Sequence, residues 1–239
     1  ITGDLTGVSL AVPETPLALD QGTVSITADQ NRLSAVGDAY WVDRPVSVNW
    51  VEDFTLPEGQ PSTTFEVEAR LGARALDEFG IPARRYLDGF VGVEARAISN
   101  GLDIQSIDVD ADLTEAWIEA PDGVWFKEIG VEGLAGFTLS RNEAENYVFE
   151  EIIIQTDGVD IGADAQLSPG GRLVELNLDH VEVDEFVSLR GRLAAPPQPG
   201  QPFTARLSGE YLDAREILGS WNSREPVSPE QPSDGASET

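Results

Sequence analysis

The chain has 239 residues, with 43 acidic against 15 basic side chains and a formal net charge of −28. A field of that sign repels nucleic acid and anionic headgroups from the surface at large, so no nucleic-acid partner is expected. Cys is absent, which removes disulfides, thiolate metal sites and Cys nucleophiles together and leaves the redox compartment open.

Taken along the chain, period-two alternation dominates. Val24, Ile26 and Ala28 fall on one side and Thr23, Ser25, Thr27 and Asp29 on the other. Val46, Val48 and Trp50 repeat the pattern, then Val91, Val93, Ala95 and Ala97. The clearest run sets Ile107, Val109, Ala111 and Leu113 against Asp108, Asp110 and Asp112. Later come Val159, Ile161, Ala163, Ala165 and Leu167, then Val174, Leu176 and Leu178, then Phe203, Ala205 and Leu207. Alternation of this kind marks strands with one buried and one wet face. Asp20-Gln21-Gly22, Asn100-Gly101, Asp122-Gly123, Asp157-Gly158 and Pro169-Gly170-Gly171 read as tight hairpin turns between them. With no long helical crossover between most neighbours, antiparallel pairing follows. The expected fold is mainly β: an extended antiparallel meander curved into an open groove of repeating β-groove type, with one or two short helices.

Two stretches depart from the alternation. Leu71, Ala75, Leu76 and Phe79 stand at helical spacing before Gly80 and Pro82, which predicts a helix over 68–79. Asp213 as N-cap ahead of Ala-Arg-Glu-Ile-Leu predicts a second over 213–220. From Asn222 to Thr239 the composition reduces to Ser, Pro, Glu, Gln and Gly, so 1–221 reads as the folded unit and 222–239 as a disordered tail or linker.

Catalytic patterns are scarce. His180 is the single His and would share a strand face with Leu178, in a structural or surface role. Asp108, Asp110, Asp112 and Glu119 have the spacing of a calcium loop, but Leu113 occupies the position that needs Gly, so a strand with a wet acidic face explains them better. Divalent binding there would be nonspecific, and no metal site is assigned. Neither phosphate-binding glycine loop is present, and nothing calls for a cofactor. Arg84-Arg85 and Arg190-Gly191-Arg192 are close basic clusters, read as ion-pair partners of the many acids ahead of phosphate ligands. Tyr40-Trp41 and Trp125-Phe126 read as packing residues near strand ends.

Several of these segments carry a family resemblance. Leu5-Thr6-Gly7, Pro16-Leu17-Ala18-Leu19-Asp20-Gln21-Gly22, Arg44-Pro45-Val46-Ser47-Val48-Asn49-Trp50 and Phe79-Gly80-Ile81-Pro82 open it. Asp112-Leu113-Thr114, Trp125-Phe126-Lys127, Asp157-Gly158-Val159-Asp160-Ile161 and Leu207-Ser208-Gly209-Glu210-Tyr211-Leu212-Asp213-Ala214-Arg215 continue it. In these the chain resembles the periplasmic AsmA-like proteins, in particular the large YhdP/TamB-type members in their alphaproteobacterial version. The resemblance implies a long curved β structure with an apolar groove, carrying phospholipid between inner and outer membranes of the cell envelope. It also implies a periplasmic location with an inner-membrane anchor. The chain opens at Ile1 and contains no Met, which fits an internal segment of such a protein. No apolar run nears the roughly 18 residues of a membrane span, so the anchor is expected elsewhere.

The expected activity is therefore non-enzymatic: shielding of phospholipid acyl chains along the apolar strand faces. The candidate groove residues are Val24, Ile26, Val46, Val48, Val91, Val93, Ile107, Val109, Val159, Ile161, Leu176, Leu178, Phe203 and Leu207. The alternative is an envelope scaffold or protein-binding β module whose edge strands recruit a partner. A glycan-cleaving enzyme would need two carboxylates converging in a cleft and rests on acidity alone.

Overall fold

Where apolar and polar residues alternate over ten positions, a strand can bury one face only, and successive strands gain by laying those faces side by side. The computed structural model, which describes residues 1–11, 18–42, 44–78, 83–101, 103–120, 125–196 and 201–212, follows this rule throughout. The strands are β1 (Thr2–Ala11), β2 (Ala18–Ala28), β3 (Arg32–Trp41), β4 (Arg44–Asp53), β5 (Thr63–Leu71), β6 (Leu87–Gly89), β7 (Val91–Asn100) and β8 (Asp103–Asp112). They continue as β9 (Ala116–Glu119), β10 (Phe126–Lys127), β11 (Gly133–Arg141), β12 (Tyr147–Thr156), β13 (Val159–Leu167), β14 (Leu173–Val183), β15 (Val187–Ala194) and β16 (Thr204–Leu212). One helix, α1 (Ala73–Glu78), and one 3₁₀ turn (Ala83–Arg85) complete the described elements.

Thirteen strands form a single antiparallel sheet in the order β1-β2-β3-β4-β5-β7-β8-β11-β12-β13-β14-β15-β16. It is an open, curved meander and does not close into a barrel. At about 4.8 Å per strand the arc measures roughly 58 Å between its edges, β1 and β16. Two excursions leave the meander, one between β5 and β7 and one between β8 and β11. They meet as a second sheet of three strands, β10-β9-β6.

The turn chemistry acts where the chain reverses. Asn100-Gly101 and Asp157-Gly158 join β7 to β8 and β12 to β13, with Gly101 and Gly158 at φ 61° and 72°. Pro169-Gly170-Gly171 lies between β13 and β14. Asp20-Gln21-Gly22 is different: it lies inside β2, where Gln21 at φ 55° forms a bulge and the pairing with β3 slips between Asp20 and Thr23. Further register shifts interrupt β1, β12, β14 and β16. Each adds local bend and twist, which is how a sheet this wide acquires curvature.

The helix is shorter than its spacing predicts. Residues 68–71 belong to β5, because Glu68, Ala69, Arg70 and Leu71 pair with Glu94, Val93, Gly92 and Val91 of β7. The helical periodicity begins only after Gly72. Asp122-Gly123, Phe79 to Pro82, the predicted helix over 213–220 and the tail from 222 lie outside the described residues.

The buried core sits at one end of the strands. Ala75 of α1 is 3% exposed and packs with Leu19, Ala39, Trp41, Val46 and Leu71. Beside it, Val91, Leu113 and Ala116 form a second cluster, with Leu76, Leu87 and Ile118 against it. Lys127 is 2% exposed there, and its ammonium donates to the carbonyls of Ala116 (3.1 Å) and Glu128 (3.2 Å). Burial lowers the Lys127 pKa from its ordinary 10.5, while the Asp112 carboxylate pulls the other way.

Candidate functional site

Residues directly opposite one another in an antiparallel pair share a face, so the registers trace rows across the whole sheet. One row runs Leu5–Val24–Gly37–Val48–Val67–Ala95–Val109–Phe137. It resumes as Leu139–Phe149–Ala165–Leu176–Leu193–Ala205. A second contains Ile26, Ala35, Trp50, Phe65, Ala97 and Ile107. A third runs Ala39–Val46–Ala69–Val93–Ala111–Ala135–Ile154–Ile161–Val181–Leu189. Every one of these residues is apolar and all lie on one face.

The other face is polar and acidic. Asp38, Ser47, Glu68, Glu94 and Asp110 form one row across it, and Asn49, Glu66, Arg96, Asp108 and Thr138 another. Hydroxyls and amides knit its strands together: Ser25 donates to Asp4 (2.6 Å), Ser47 to Asp38 (2.7 Å), Asn49 to Glu66 (2.8 Å) and Thr138 to Asp108 (2.9 Å). Asp108, Asp110 and Asp112 thus occupy the wet side of β8. Among the described residues no three His, Asp or Glu side chains are arranged to hold a metal.

The apolar face has two regimes. At the α1 end it is dry core, where Val46 and Val91 are 1% and 4% exposed. These two candidates are therefore the floor of a cap formed by α1, β6, β9 and β10. Val159 at the same end of β13 is also buried. Val48 and Val93, half-buried, pack against the capped clusters. Away from the cap, Val24, Ile26, Ile107, Val109, Ile161, Leu176 and Leu178 are only half-buried, and Leu207 on edge strand β16 is exposed. No described element lies over them. The floor between them is made of small side chains, such as Ala35, Ala95, Ala97, Ala111, Ala135, Ala163 and Ala165, with larger rings standing between: Trp50 stacks on Phe65 at 5.7 Å and Phe137 tilts against Phe149 at 5.5 Å. Phe203 precedes β16, outside any strand, and is exposed.

Trp50, which continues the Val46–Val48 alternation, and Phe65, Phe137, Phe149, Ile152, Ile154 and Leu189 also lie on this face, outside the fourteen candidates. In β12 the reason is physical. Glu151 at φ 53° bulges the strand, its N–H donating to Asp164 (3.0 Å), and the run Ile152-Ile153-Ile154 then carries no visible alternation. His180 is a correction of the same origin. A bulge at Asp179 places Leu178 opposite Ala163 but His180 opposite Gly162, which moves the imidazole to the polar face. There it meets Asp160 at 3.1 Å, and that contact, with a second from Gln155, lowers the Asp160 pKa below 3.8.

The basic clusters pair mainly within the chain. Arg84 reaches Asp77 at 2.5 Å, Arg192 pairs with Glu175, and Arg85 lies 5.5 Å from the Tyr86 ring. Arg44 and Arg70 both lie over the ring of Phe90, at 4.5 and 4.3 Å. Comparison with known proteins adds no further assignment: no family model, no curated protein and no solved structure matches the chain.

Proposed function

We propose that this chain is a segment of a bridge-like lipid transfer protein of the cell envelope, in which the apolar face of the open sheet shields phospholipid acyl chains while the headgroups stay in water. The observation that carries the reading is the apolar face across thirteen strands, over which no described element lies away from its cap, backed by an acidic face. An enzyme or a filled β core has no use for such a surface. An acyl chain does, since each buried CH₂ contributes about 0.8 kcal/mol. A face of similar affinity along its length lets a chain slide without a single tight site, and no catalytic group or cofactor is required. The resemblance to AsmA-like proteins adds the direction of the proposal: a periplasmic location, with the inner and outer membranes engaged through parts of the longer protein and an inner-membrane anchor beyond this stretch.

Native mass spectrometry of the purified chain, with lipid extraction from the same sample, tests the reading. Phospholipid should copurify, and replacing Val24, Val109 and Leu176 by Asp should remove most of it while the β circular dichroism persists. A lipid-free mass that stays so after incubation with detergent-solubilised phospholipid would overturn the proposal. A scaffold reading draws on a different observation, the two uncapped edges: Leu5 on β1 and Leu207 on β16 are 48% and 50% exposed, and free edge strands accept partner strands.

A further inference from the structure

The polar face changes sign at one side of the sheet. Across β5, β7 and β8 its rows hold Glu66, Glu68, Glu94, Asp108 and Asp110, with Arg96 alone among them. On the last two strands the pattern reverses. Arg192 of β15 stands directly opposite Arg206 of β16, and Arg190 stands opposite Ser208. Leu189, Gly191 and Leu193 pair with Gly209, Leu207 and Ala205 on the apolar side, so the alternating Arg190, Arg192 and Arg206 share the polar one. Three of the 15 basic residues therefore meet within two strands of a chain that has 43 acids.

Two cations facing each other across a ladder repel, and only an anion between them turns that repulsion into attraction. One of the three Arg is neutralised from within the chain, because Arg192 pairs with Glu175 of β14. Among the described residues neither Arg190 nor Arg206 joins an ion pair, and both side chains are exposed. The acids of these strands stand off the Arg row. Asp179, across from Arg190, is the extra residue of the β14 bulge, and Glu210 is the extra residue of the β16 bulge. Glu182 lies opposite Ser188 instead, and the neighbouring His180 already meets Asp160.

We infer that Arg190 and Arg206, with the Ser208 hydroxyl beside them, form a binding site for a small phosphate-type oxyanion. Ser208 stands about 7 Å from Arg206 along β16 and about 5 Å from Arg190 across the ladder. Long Arg side chains span such distances, and each guanidinium presents a planar pair of donors that matches two phosphate oxygens. The ligand is small because the positive field is local. The screening length at physiological salt is about 8 Å, whereas β8 lies five strand spacings from β15, about 24 Å. An ion seated on the Arg row is thus shielded from the acidic rows of β5 to β8. A polyanion or an anionic bilayer would extend over those rows and be repelled. Inorganic phosphate and the phosphate of a lipid headgroup share the required chemistry. The site lies on the face opposite the proposed acyl-chain surface and does not rest on that reading.

The test follows Arg side-chain Nε–Hε signals of the isotope-labelled full chain by NMR as inorganic phosphate is added to phosphate-free buffer. The Arg190 and Arg206 signals should shift and saturate, while Arg96, set between Glu66 and Asp108, stays in place. Arg190→Gln and Arg206→Gln should each weaken phosphate binding at least about fivefold. Arg206→Gln removes a repulsion, so its urea midpoint without phosphate should equal or exceed that of the wild type. Phosphate should then raise the wild-type midpoint and leave that of the variant unchanged. Shifts no larger than those from sodium chloride at matched ionic strength would overturn the inference. A lower phosphate-free midpoint for Arg206→Gln, the mark of a structural ion pair, would overturn it too. A short-chain phosphatidylglycerol below its micelle concentration separates the two sources once phosphate binds. The same Arg shifts, joined by the Leu207 amide, support a headgroup, and no response to the lipid supports the free ion.

Discussion

Gly37 shows how narrow the tolerance is inside the curved sheet. A Cβ added there would lie 2.1 Å from the Thr23 carbonyl oxygen and 2.8 Å from the Val24 Cα, both backbone atoms that cannot rotate away. Gly37→Ala should cost about 2–3 kcal/mol in urea unfolding, the scale of overpacking. Gly3, where an added Cβ meets nothing within 4 Å, should accept Ala within about 0.5 kcal/mol. Charged residues give a second prediction. Thr55 lowers the pKa of Asp53 and Thr114 that of Asp112, the Asn31 and Arg32 amides lower Asp29, and His180 with Gln155 lowers Asp160, each from an ordinary 3.8. A depressed folded-state pKa contributes stability above the unfolded value, lost as pH falls through the folded one. The urea midpoint should therefore drop below about pH 3.8, and the gap between the wild type and Asp160→Asn should close over the same range. His180 also marks where residue-level reading from sequence ended. Its contact with Asp160 depends on one extra residue at Asp179, and a bulge leaves no signature in composition or periodicity.

At the scale of elements, the acidic face contains a flaw that specific substitutions should repair. Glu68, Glu94 and Asp110 stand directly opposite one another on β5, β7 and β8, whereas the next row interposes Arg96 between Glu66 and Asp108. Like charges facing across a ladder destabilise by a few tenths to about 1 kcal/mol per pair. Glu94→Arg should therefore stabilise the chain by roughly 1 kcal/mol in low salt, with the gain shrinking as screening shortens the reach of the charges. Lys127 is the opposite case, a buried cation of β10 whose ammonium donates to Ala116 on neighbouring β9 and to Glu128, with its stem against Gly133 of the large sheet. Lys127→Ala removes two carbonyl partners and leaves a void beside Gly133, so it should cost about 2–4 kcal/mol, and Lys127→Met, which keeps the volume, about half of that. β2, β4, β7, β8, β13 and β14 are legible through their alternation, which hairpin glycines reinforce at β7, β8, β13 and β14. β11 and β12 are not, since Gly136, the bulge at Glu151 and three consecutive Ile residues blur the period. The helical spacing begins ahead of the helix itself because Leu71 serves strand and helix patterns alike, and only pairing with Val91 decides between them.

Among the described residues the molecule is a sheet with one apolar side and one acidic side, covered by α1 and the small sheet over part of one end and by no other element. That asymmetry was readable from the sequence in outline: thirteen of the fourteen candidate residues share the apolar face, with Phe203 just outside β16. The division of that face into capped floor and open surface was not readable, because burial by α1 and the small sheet depends on where two excursions of the chain meet. A net charge of −28 sets copies of the chain against one another and against anionic surfaces by mutual repulsion. The central claim, that the open apolar face carries acyl chains, is tested most directly along β8, where the two faces alternate residue by residue. A photo-crosslinking amino acid placed in turn at Ile107, Asp108, Val109, Asp110 and Ala111 should capture phospholipid at 107, 109 and 111 and leave 108 and 110 at background. Capture at all five positions alike, or at none while the chain remains folded, would contradict it.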